Sequence, residues 1–189
     1  MDEVLAGAVR AGHARIEAPS VIVAAGVWSG DLKGLNPPVP VFPRRGQILS
    51  LGMPSGAIHH ILRWQHSYLV PRATGELVVG ATNEDAGFDL STTPAGLGQL
   101  LNEAQAISSQ VGNYPILEIW TGLRPATPDG FPVLGQSALP GVYYATGHYR
   151  NGILLAPITA SIMSDLIENH EPALPMEPFA PSRFAAKHV

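Results

Sequence analysis

The sequence contains no cysteine, and this absence excludes several kinds of chemistry. A chain without cysteine forms no disulfide, no thiolate metal site, no catalytic thiol and no cysteinyl link to a cofactor. The composition is compatible with a reducing compartment, so we expect a cytoplasmic protein.

Charge and long apolar runs are also scarce. Charged residues make up 14% of the 189 residues, and the formal net charge of -4 is spread over both signs. Because there is no basic block, we expect neither nucleic acid nor an anionic membrane as a partner. The longest apolar stretches, residues 21–27 and 153–163, are too short or too interrupted to span a bilayer, and the acidic N-terminus is unlike a signal peptide.

Several familiar catalytic and nucleotide-binding motifs are missing as well. The sequence has no GxGxxG, P-loop, HExxH or GxSxG pattern. His59 and His60 are sequential, so on a strand their side chains point to opposite faces and do not easily bind one metal ion. We therefore predict no metal site.

The residues that are present predict an α+β fold. Hydrophobic residues make up 46% of the chain, which is enough for a core. "SVIVAAG" at residues 20–26 is typical of a buried parallel strand, and "GVYYATG" at residues 141–147 predicts another strand. Between residues 39 and 82, β-rich runs alternate with glycine and proline, which predicts an antiparallel sheet with a hairpin turn at residues 73–76.

Two longer helices are predicted from apolar spacing and capping residues. Thr93 is typical of an N-cap and Pro94 of a first helical position, and apolar residues follow at spacings of three and four. A second helix is predicted from about Asn151 to Glu168, in which Pro157 lies early enough to cost little.

The two ends of the chain carry weaker patterns. Residues 1–12 predict a short helix that Gly12 closes, and residues 14–18 predict a short strand. The tail beyond residue 170 is rich in proline, which indicates an extended strap.

A turn with polar side chains joins the predicted strand at residues 141–147 to the last helix. In "GHYRNG", residues 147–152, the N–H groups and the positive dipole end of the helix would face an anion or an electron-rich cofactor edge. Alternatively, the glycines only permit the turn, and Arg150 is a solvated surface base.

Arg124 lies between a predicted strand and Pro125, so a restricted backbone fixes its position. A guanidinium held in this way suits bidentate binding of a carboxylate. The alternative is a structural salt bridge with Asp129 in the same loop.

Three side chains alternate in "WQHSYLVPR", namely Trp64, His66 and Tyr68, which predicts that they share one face of a strand. Such a face would line a small-molecule pocket or form part of a half-buried core.

The order of these motifs resembles the C-terminal half of the D-amino acid oxidase family of FAD-dependent oxidoreductases, and within it the glycine oxidases, which supply an imine for the thiazole of thiamine. The resemblance extends over about residues 20–183. It is carried by "VIVAAGVWSG", "FPRRGQILSL", "HSYLVPRATGELVVGAT", "WTGLRPATPDGFPVLG" and "ATGHYRNGILLAPITASIMSDLI".

This resemblance implies an antiparallel-sheet substrate domain plus the C-terminal part of an FAD-binding α/β domain, whose N-terminal glycine-rich half is absent. Residues 1–30 would be a remnant of the FAD-binding domain, and residues 31–124 the antiparallel substrate-binding domain. Residues 125–170 would return to the FAD-binding domain with a flavin-facing turn and helix, and residues 171–189 would form an extended tail.

The resemblance also implies roles for individual residues. Arg124 would grip the substrate carboxylate, Tyr68 would hydrogen-bond the same group, and Arg150 and His66 would lie near the pocket. Non-covalently bound FAD would contact Gly26, Trp28, Gly122, Gly147, His148, Arg150, Asn151, Gly152 and Ile153.

The implied reaction oxidises the C–N bond of glycine, a small D-amino acid or an N-methyl amino acid to an imine. Hydride is transferred to the flavin, no side chain acts as acid or base, and oxygen or another electron acceptor then takes the electrons. The alternative is a truncated, non-catalytic binding or assembly module that needs a partner chain for FAD.

Because the glycine-rich half is absent, we expect "SVIVAAG" and "VYYATG" to lose neighbouring strands and to expose apolar surface. The chain is therefore expected to form a homo-oligomer, to associate with the missing N-terminal half, or to be poorly soluble.

Overall fold

The computed structural model describes residues 3–185, and these residues divide into two compact units. The first unit contains the described residues up to Pro43 and from Arg124 onward, and the second contains Arg44–Leu123. Residues 31–43, which the sequence assigns to the antiparallel domain, cluster with the first unit. Both units combine strands with helical segments, so the α+β prediction is confirmed at this level.

Eleven strands and two α-helices lie within the described residues. The strands are β1 (Glu3–Leu5), β2 (Ala8–Ala11), β3 (Ala14–Glu17), β4 (Val21–Val23), β5 (Phe42–Gly52), β6 (Leu62–Trp64), β7 (Ser67–Pro71), β8 (Glu76–Gly80), β9 (Ile116–Ala126), β10 (Val133–Gln136) and β11 (Val142–Thr146). The helices are α1 (Pro94–Ile107) and α2 (Gly152–Ile167), with 3-10 segments at Gly26–Asp31, Ser109–Asn113 and Pro181–Phe184.

The N-terminal segment is a three-stranded antiparallel sheet in the order β1-β2-β3. The prediction of a short helix at residues 1–12 is therefore wrong for its described part, whereas the strand predicted at residues 14–18 is present as β3. Gly7 and Gly12 lie in the left-handed backbone region, with φ of 70° and 58°. Two tight turns at these glycines reverse the chain, and this turn chemistry outweighs the weak helical pattern.

The first unit also contains a sheet in the order β10-β11-β4. Strand β11 pairs antiparallel with β10 and parallel with β4, with Val142 opposite Val21 and Tyr144 opposite Val23. The parallel strand predicted in residues 20–26 is thus confirmed. The expectation that "VYYATG" loses a neighbouring strand is wrong, because β11 is the central strand, whereas β4 lies at the edge.

Helix α2 packs against the sheet of the first unit through its C-terminal half. Ile162 and Met163 are buried in a cluster with Leu134 of β10 and Tyr143 of β11. The helix predicted through Pro157 is confirmed, and Asn151 occupies its N-cap position. No helix within residues 3–185 has both the length and the apolar composition needed to cross a membrane.

The second unit is built on a five-stranded sheet in the order β6-β7-β8-β5-β9, with α1 packed on one face. The core between them contains Leu49, Leu69, Val79, Leu100 and Ala104, all fully buried. The antiparallel prediction is confirmed by the pairing of β5 with β8, β6 with β7 and β7 with β8.

The hairpin turn and the helix N-cap that the sequence predicts in the second unit are both present. The turn between β7 and β8 contains residues 72–75, in which Gly75 N–H donates to Arg72 O at 3.1 Å, so the predicted hairpin is present. The Thr93 hydroxyl accepts a hydrogen bond from Gly96 N–H at 3.1 Å, which confirms it as the N-cap of α1.

The described part of the proline-rich tail runs over the first unit and is anchored by hydrogen bonds. Leu134 N–H donates to Phe179 O at 2.9 Å. The tail is not extended throughout: Phe179 N–H donates to Met176 O at 2.9 Å in one turn, and a 3-10 turn at Pro181–Phe184 places Arg183 against Asp129.

Candidate functional site

The carboxyl ends of β4 and β11 lie side by side, because these two strands are parallel. Strand β11 ends at Thr146, whose hydroxyl lies 2.8 Å from the Ser29 hydroxyl and donates to Gly26 O at 3.1 Å. Ser29 and Thr146 are both buried. These bonds hold the 3-10 segment Gly26–Asp31 against the end of β11 and so place Gly26 next to the turn at Gly147.

The turn after β11 is fixed by close backbone contacts. Gly147 has a φ of 75°, and a Cβ atom there would lie 2.7 Å from the Cγ2 atom of Thr127. Tyr149, with a φ of 52°, donates its N–H to Pro125 O at 2.8 Å. The backbone beside Arg124 is therefore bonded to the backbone beside Arg150, which brings these two predicted substrate-binding residues into one region.

Helix α2 begins at this turn with an open N-terminus. The Asn151 side chain makes no capping hydrogen bond, and the first helical hydrogen bond runs from Leu155 N–H to Asn151 O at 2.8 Å. The first N–H groups of a helix have no acceptor within it, and the helix dipole is positive at this end. Ile153 is 96% exposed, so the first turn is accessible. The arrangement suits an anion or the electron-rich edge of a ring.

His148 lies inside the turn and contacts α2. One of its ring nitrogens, Nε2, lies 3.0 Å from the Thr159 hydroxyl. Burial lowers the pKa of His148 below its usual value, since desolvation disfavours the charged imidazole. The ring is therefore neutral near pH 7 and acts as a hydrogen-bonding group.

Arg150 and Trp28 present exposed side chains in the same unit. The guanidinium carbon of Arg150 lies 5.3 Å from the centroid of the Tyr149 ring, a distance typical of a cation–π contact. Trp28 is 60% exposed on the 3-10 segment that follows β4. Both side chains are exposed to solvent.

The carboxylate of Asp129, considered above as a structural partner of Arg124, is bound by Arg183. The distances are 2.7 Å from Nε to Oδ2 and 3.3 Å from Nη2 to Oδ1. The hydrogen bond from Arg183 lowers the pKa of Asp129, and the Phe131 N–H contributes in the same direction. Asp129 therefore belongs to the anchor of the tail.

Tyr68, His66 and Gly122 belong to the second unit. The expected shared face of Trp64, His66 and Tyr68 is wrong. Tyr68 pairs with Arg63 across β6 and β7, while Trp64 pairs with Ser67 and His66 lies in the connecting turn. The positive φ of Gln65 shows the cause, because this two-residue turn interrupts the alternation of side chains.

An apolar cleft of about 530 Å³ opens between the sheet of the first unit and α2. Its lining includes Ile22, Ala24, Ala145, Ala156, Met163 and Ile167. His148 and Thr159 are among its polar members. Within residues 3–185, this cleft is continuous with the turn described above through His148 and Gly152.

Several residues of this region had no clear signal in the sequence. Thr127 limits the space at Gly147, and Ser29 bonds Thr146 across 117 positions of the chain. Such pairs depend on tertiary contact, so no local spacing reveals them.

Comparison with known proteins agrees with these motifs. The family model described as FAD dependent oxidoreductase matches residues 2–166. The bifunctional protein ThiO/ThiG of Nostoc sp. is 47% identical over 156 residues, which cover 80% of this chain and 23% of that protein. The glycine oxidase of Bacillus subtilis is 40% identical over 153 residues, covering 80% of this chain and 42% of that enzyme.

A solved structure is similar over nearly the whole chain. The crystal structure of glycine oxidase from Geobacillus kaustophilus superimposes with a TM-score of 0.84 at 31% identity, and it covers 94% of this chain and 48% of that one. The chain thus spans less than half the length of each of these relatives. Since the family model matches most of the sequence, the chain belongs to the family of FAD-dependent oxidoreductases.

Proposed function

We propose that this chain forms the substrate-binding and flavin-facing part of a glycine oxidase-like enzyme. The reaction is oxidation of the C–N bond of glycine, a small D-amino acid or an N-methyl amino acid to the imine. The observation that carries this proposal is the turn at residues 147–151, where parallel strand ends, the partly buried His148 and the open N-terminus of α2 meet.

The residues of the turn fit the pyrimidine edge of a flavin. Gly147 has no room for a side chain, and the backbone that follows it leads directly to the accessible N–H groups of Gly152 and Ile153. Exposed N–H groups at a positive helix end bind carbonyl oxygens and developing negative charge. Gly26 and Trp28 lie at the neighbouring strand end, where they would contact the same ring.

FAD, when bound, supplies the acceptor for the two electrons that leave the substrate α-carbon as hydride. The protein then has to place the α-carbon. The Arg124 guanidinium would bind the substrate carboxylate and the Tyr68 hydroxyl would donate a second hydrogen bond to it, with Arg150 and His66 near the pocket. No side-chain base is assigned, since a neutral amine needs none.

The domain boundaries belong to the same proposal. Residues 1–30 and 125–170 are assigned to the FAD-binding domain, residues 31–124 to the substrate-binding domain and residues 171–189 to the tail. The sequence contains no glycine-rich diphosphate-binding motif, so in this proposal the flavin ring is the part of FAD that the chain binds. The alternative is a non-catalytic binding or assembly module that takes up FAD only with a partner chain.

The proposal is tested by incubating the purified chain with FAD and recording its absorbance spectrum after gel filtration. We expect flavin bands to remain with the protein and to bleach on addition of glycine, sarcosine or D-alanine without oxygen. Gly147→Ala is expected to reduce the retained flavin, because its Cβ would displace the turn. Gly130→Ala is the matched control, since Gly130 also has a positive φ but no atom within 4 Å of its Cβ position.

Two other outcomes would change the conclusion. Retained flavin that no amine bleaches would contradict the proposed reaction while supporting a flavin site. A chain that retains no flavin even in excess FAD would favour the non-catalytic module.

A further inference from the structure

Tyr68 and Gly80 face each other across β7 and β8, and the end of the Tyr68 ring lies directly over the glycine. The two residues are register partners, so their side-chain positions share one face of the sheet. A Cβ atom at Gly80 would lie 2.5 Å from the Tyr68 hydroxyl oxygen, 2.6 Å from Cζ and 2.7 Å from Cε2. The phenol end of the ring therefore occupies the space that any other side chain at position 80 would need.

The contact involves the hydroxyl end of the ring and not its root. Gly80 is buried and is also the register partner of Ile48 on β5. Tyr68 is only half-buried, and its hydroxyl makes no hydrogen bond to any residue in the described range 3–185. The absence of a side chain at Gly80 therefore determines where the Tyr68 hydroxyl, a hydrogen-bond donor, lies.

The geometry points to Gly80 as the positioning residue for the Tyr68 hydroxyl, which makes the glycine a determinant of carboxylate binding. This inference rests on the proposed function, in which Tyr68 binds the substrate carboxylate. Carbon and oxygen atoms do not approach to 2.5 Å without a bond, so a methyl group at position 80 pushes the hydroxyl aside. Hydrogen bonds weaken steeply with distance and angle, so a displaced hydroxyl loses most of its interaction.

The position of the ring is tested first by NMR on the full 189-residue chain. The Gly80 Hα protons lie close to the hydroxyl end of the aromatic ring, so their chemical shifts are expected to differ from those in the Tyr68→Leu variant. Identical Gly80 shifts in the two proteins would overturn the inference, whatever the chain binds.

The consequence for binding is tested by titrating acetate, a compact carboxylate, into the same chain. Tyr68→Phe and Gly80→Ala are each expected to weaken acetate binding about tenfold or more. The double variant is expected to be no weaker than either single variant, because both changes remove the same hydrogen bond. Tyr114→Phe and Gly98→Ala are the matched controls, and both should bind acetate as the unchanged chain does.

The outcomes separate this inference from the proposed function. Weaker binding in Tyr68→Phe with normal binding in Gly80→Ala would overturn the role of Gly80 and leave the proposed function intact. If the unchanged chain binds no acetate, the proposed substrate site is contradicted, and the Gly80 shift alone decides whether the glycine positions the ring.

A folding control covers the possibility that Gly80→Ala does not fold. Replacing Tyr68 by alanine in the same chain removes the ring, so Gly80→Ala combined with Tyr68→Ala should fold as well as Tyr68→Ala alone. If the double variant is less stable than Tyr68→Ala, the inference is overturned, because the methyl group at position 80 would then destabilise the fold through contacts other than the Tyr68 ring.

Discussion

At the scale of single residues, the second unit contains a buried polar network whose members are individually costly to bury. Gln47 is fully buried, and its side chain donates to Glu84 Oε1 at 2.8 Å and accepts from Thr93 N–H at 2.8 Å. Arg45, also buried, binds Glu84 and Asp89 at 2.6 Å each. Burial raises the pKa of Glu84, but hydrogen bonds from Thr82, Arg45 and Gln47 outweigh it, and the net pKa is lowered.

We predict that Gln47→Leu destabilises the protein by about 1–3 kcal/mol, because it removes the hydrogen bond to Glu84 and leaves the Thr93 N–H without its acceptor. The leucine has a similar volume, so lost packing contributes little. Urea denaturation at pH 7 measures the change. Gln136→Leu, at an exposed position of β10, is the control and should change the stability by less than about 0.5 kcal/mol. Equal effects of the two substitutions would contradict the network's importance.

The sequence predicts a role for a residue only where the residue and its neighbours form a recognisable pattern. Tyr68 and Arg124 stand out because their side chains and neighbours carry a local signal, and their assigned roles stay predictions. Gly80 carries no such signal, since its importance depends on a ring that lies 12 positions earlier. Gln47 looks like an ordinary polar residue until Thr93, 46 positions later, is placed beside it.

At the scale of elements, the described tail behaves as an anchored segment. Arg183 binds Asp129 and also donates to the carbonyl oxygens of Phe179 and Phe131 at 2.7 and 2.9 Å. Its guanidinium carbon lies 4.1 Å from the centroid of the Phe184 ring. One side chain thus connects the 3-10 turn of the tail to the loop before β10.

We predict that the tail's contribution to stability is lost as the pH decreases. The hydrogen bond from Arg183 lowers the pKa of Asp129 in the folded protein, so the ionised carboxylate stabilises the fold. That contribution is fully present above the unfolded pKa of about 4 and is lost as pH falls through the folded pKa. The difference in unfolding free energy between the unchanged chain and Asp129→Asn should therefore shrink from about pH 5 to pH 3.

Urea denaturation at a series of pH values measures this difference. Glu171→Gln, which removes an exposed carboxylate near the start of the tail, is the reference for the loss of one negative charge. The prediction is contradicted if the difference in unfolding free energy between the unchanged chain and Asp129→Asn stays constant from neutral to acidic pH. The Arg183 contact would then stabilise the fold equally well with a neutral group at position 129.

Elements differed in how well the sequence predicted them. Helix α1 was predictable because Thr93 and Pro94 start it and its apolar spacing continues for several turns. The β1-β2-β3 sheet was missed because its strands are only three or four residues long, too short for periodicity to separate them from a helix. The sequence predicts β4 and β11 as separate strands. It does not predict that they pair, since the two segments lie far apart in the chain.

At the scale of the whole molecule, each unit has its own core, but the first unit also exposes apolar side chains on β4 and on the start of α2. The exposed fractions are 44% for Ile22, 96% for Ile153 and 78% for Leu154. Strand β4 is at an edge of its sheet within the described chain. An unprotected edge beside apolar surface favours pairing with another chain.

We predict that the purified chain self-associates through β4 and the start of α2. A two-fold axis would pair β4 with a second β4 in antiparallel orientation and cover both apolar surfaces, which removes the exposed edge of each copy.

Sedimentation velocity over a range of concentrations should show a dimer or larger species. The double substitution Ile22→Lys with Leu154→Lys should raise the dissociation constant about tenfold or more, because two like charges would face their copies across the axis. Leu90→Lys, at an exposed apolar position of the second unit, should leave association unchanged. A monomer at all concentrations, with a normal melting temperature, would contradict the prediction, since the exposed apolar residues would then be tolerated in water without a partner.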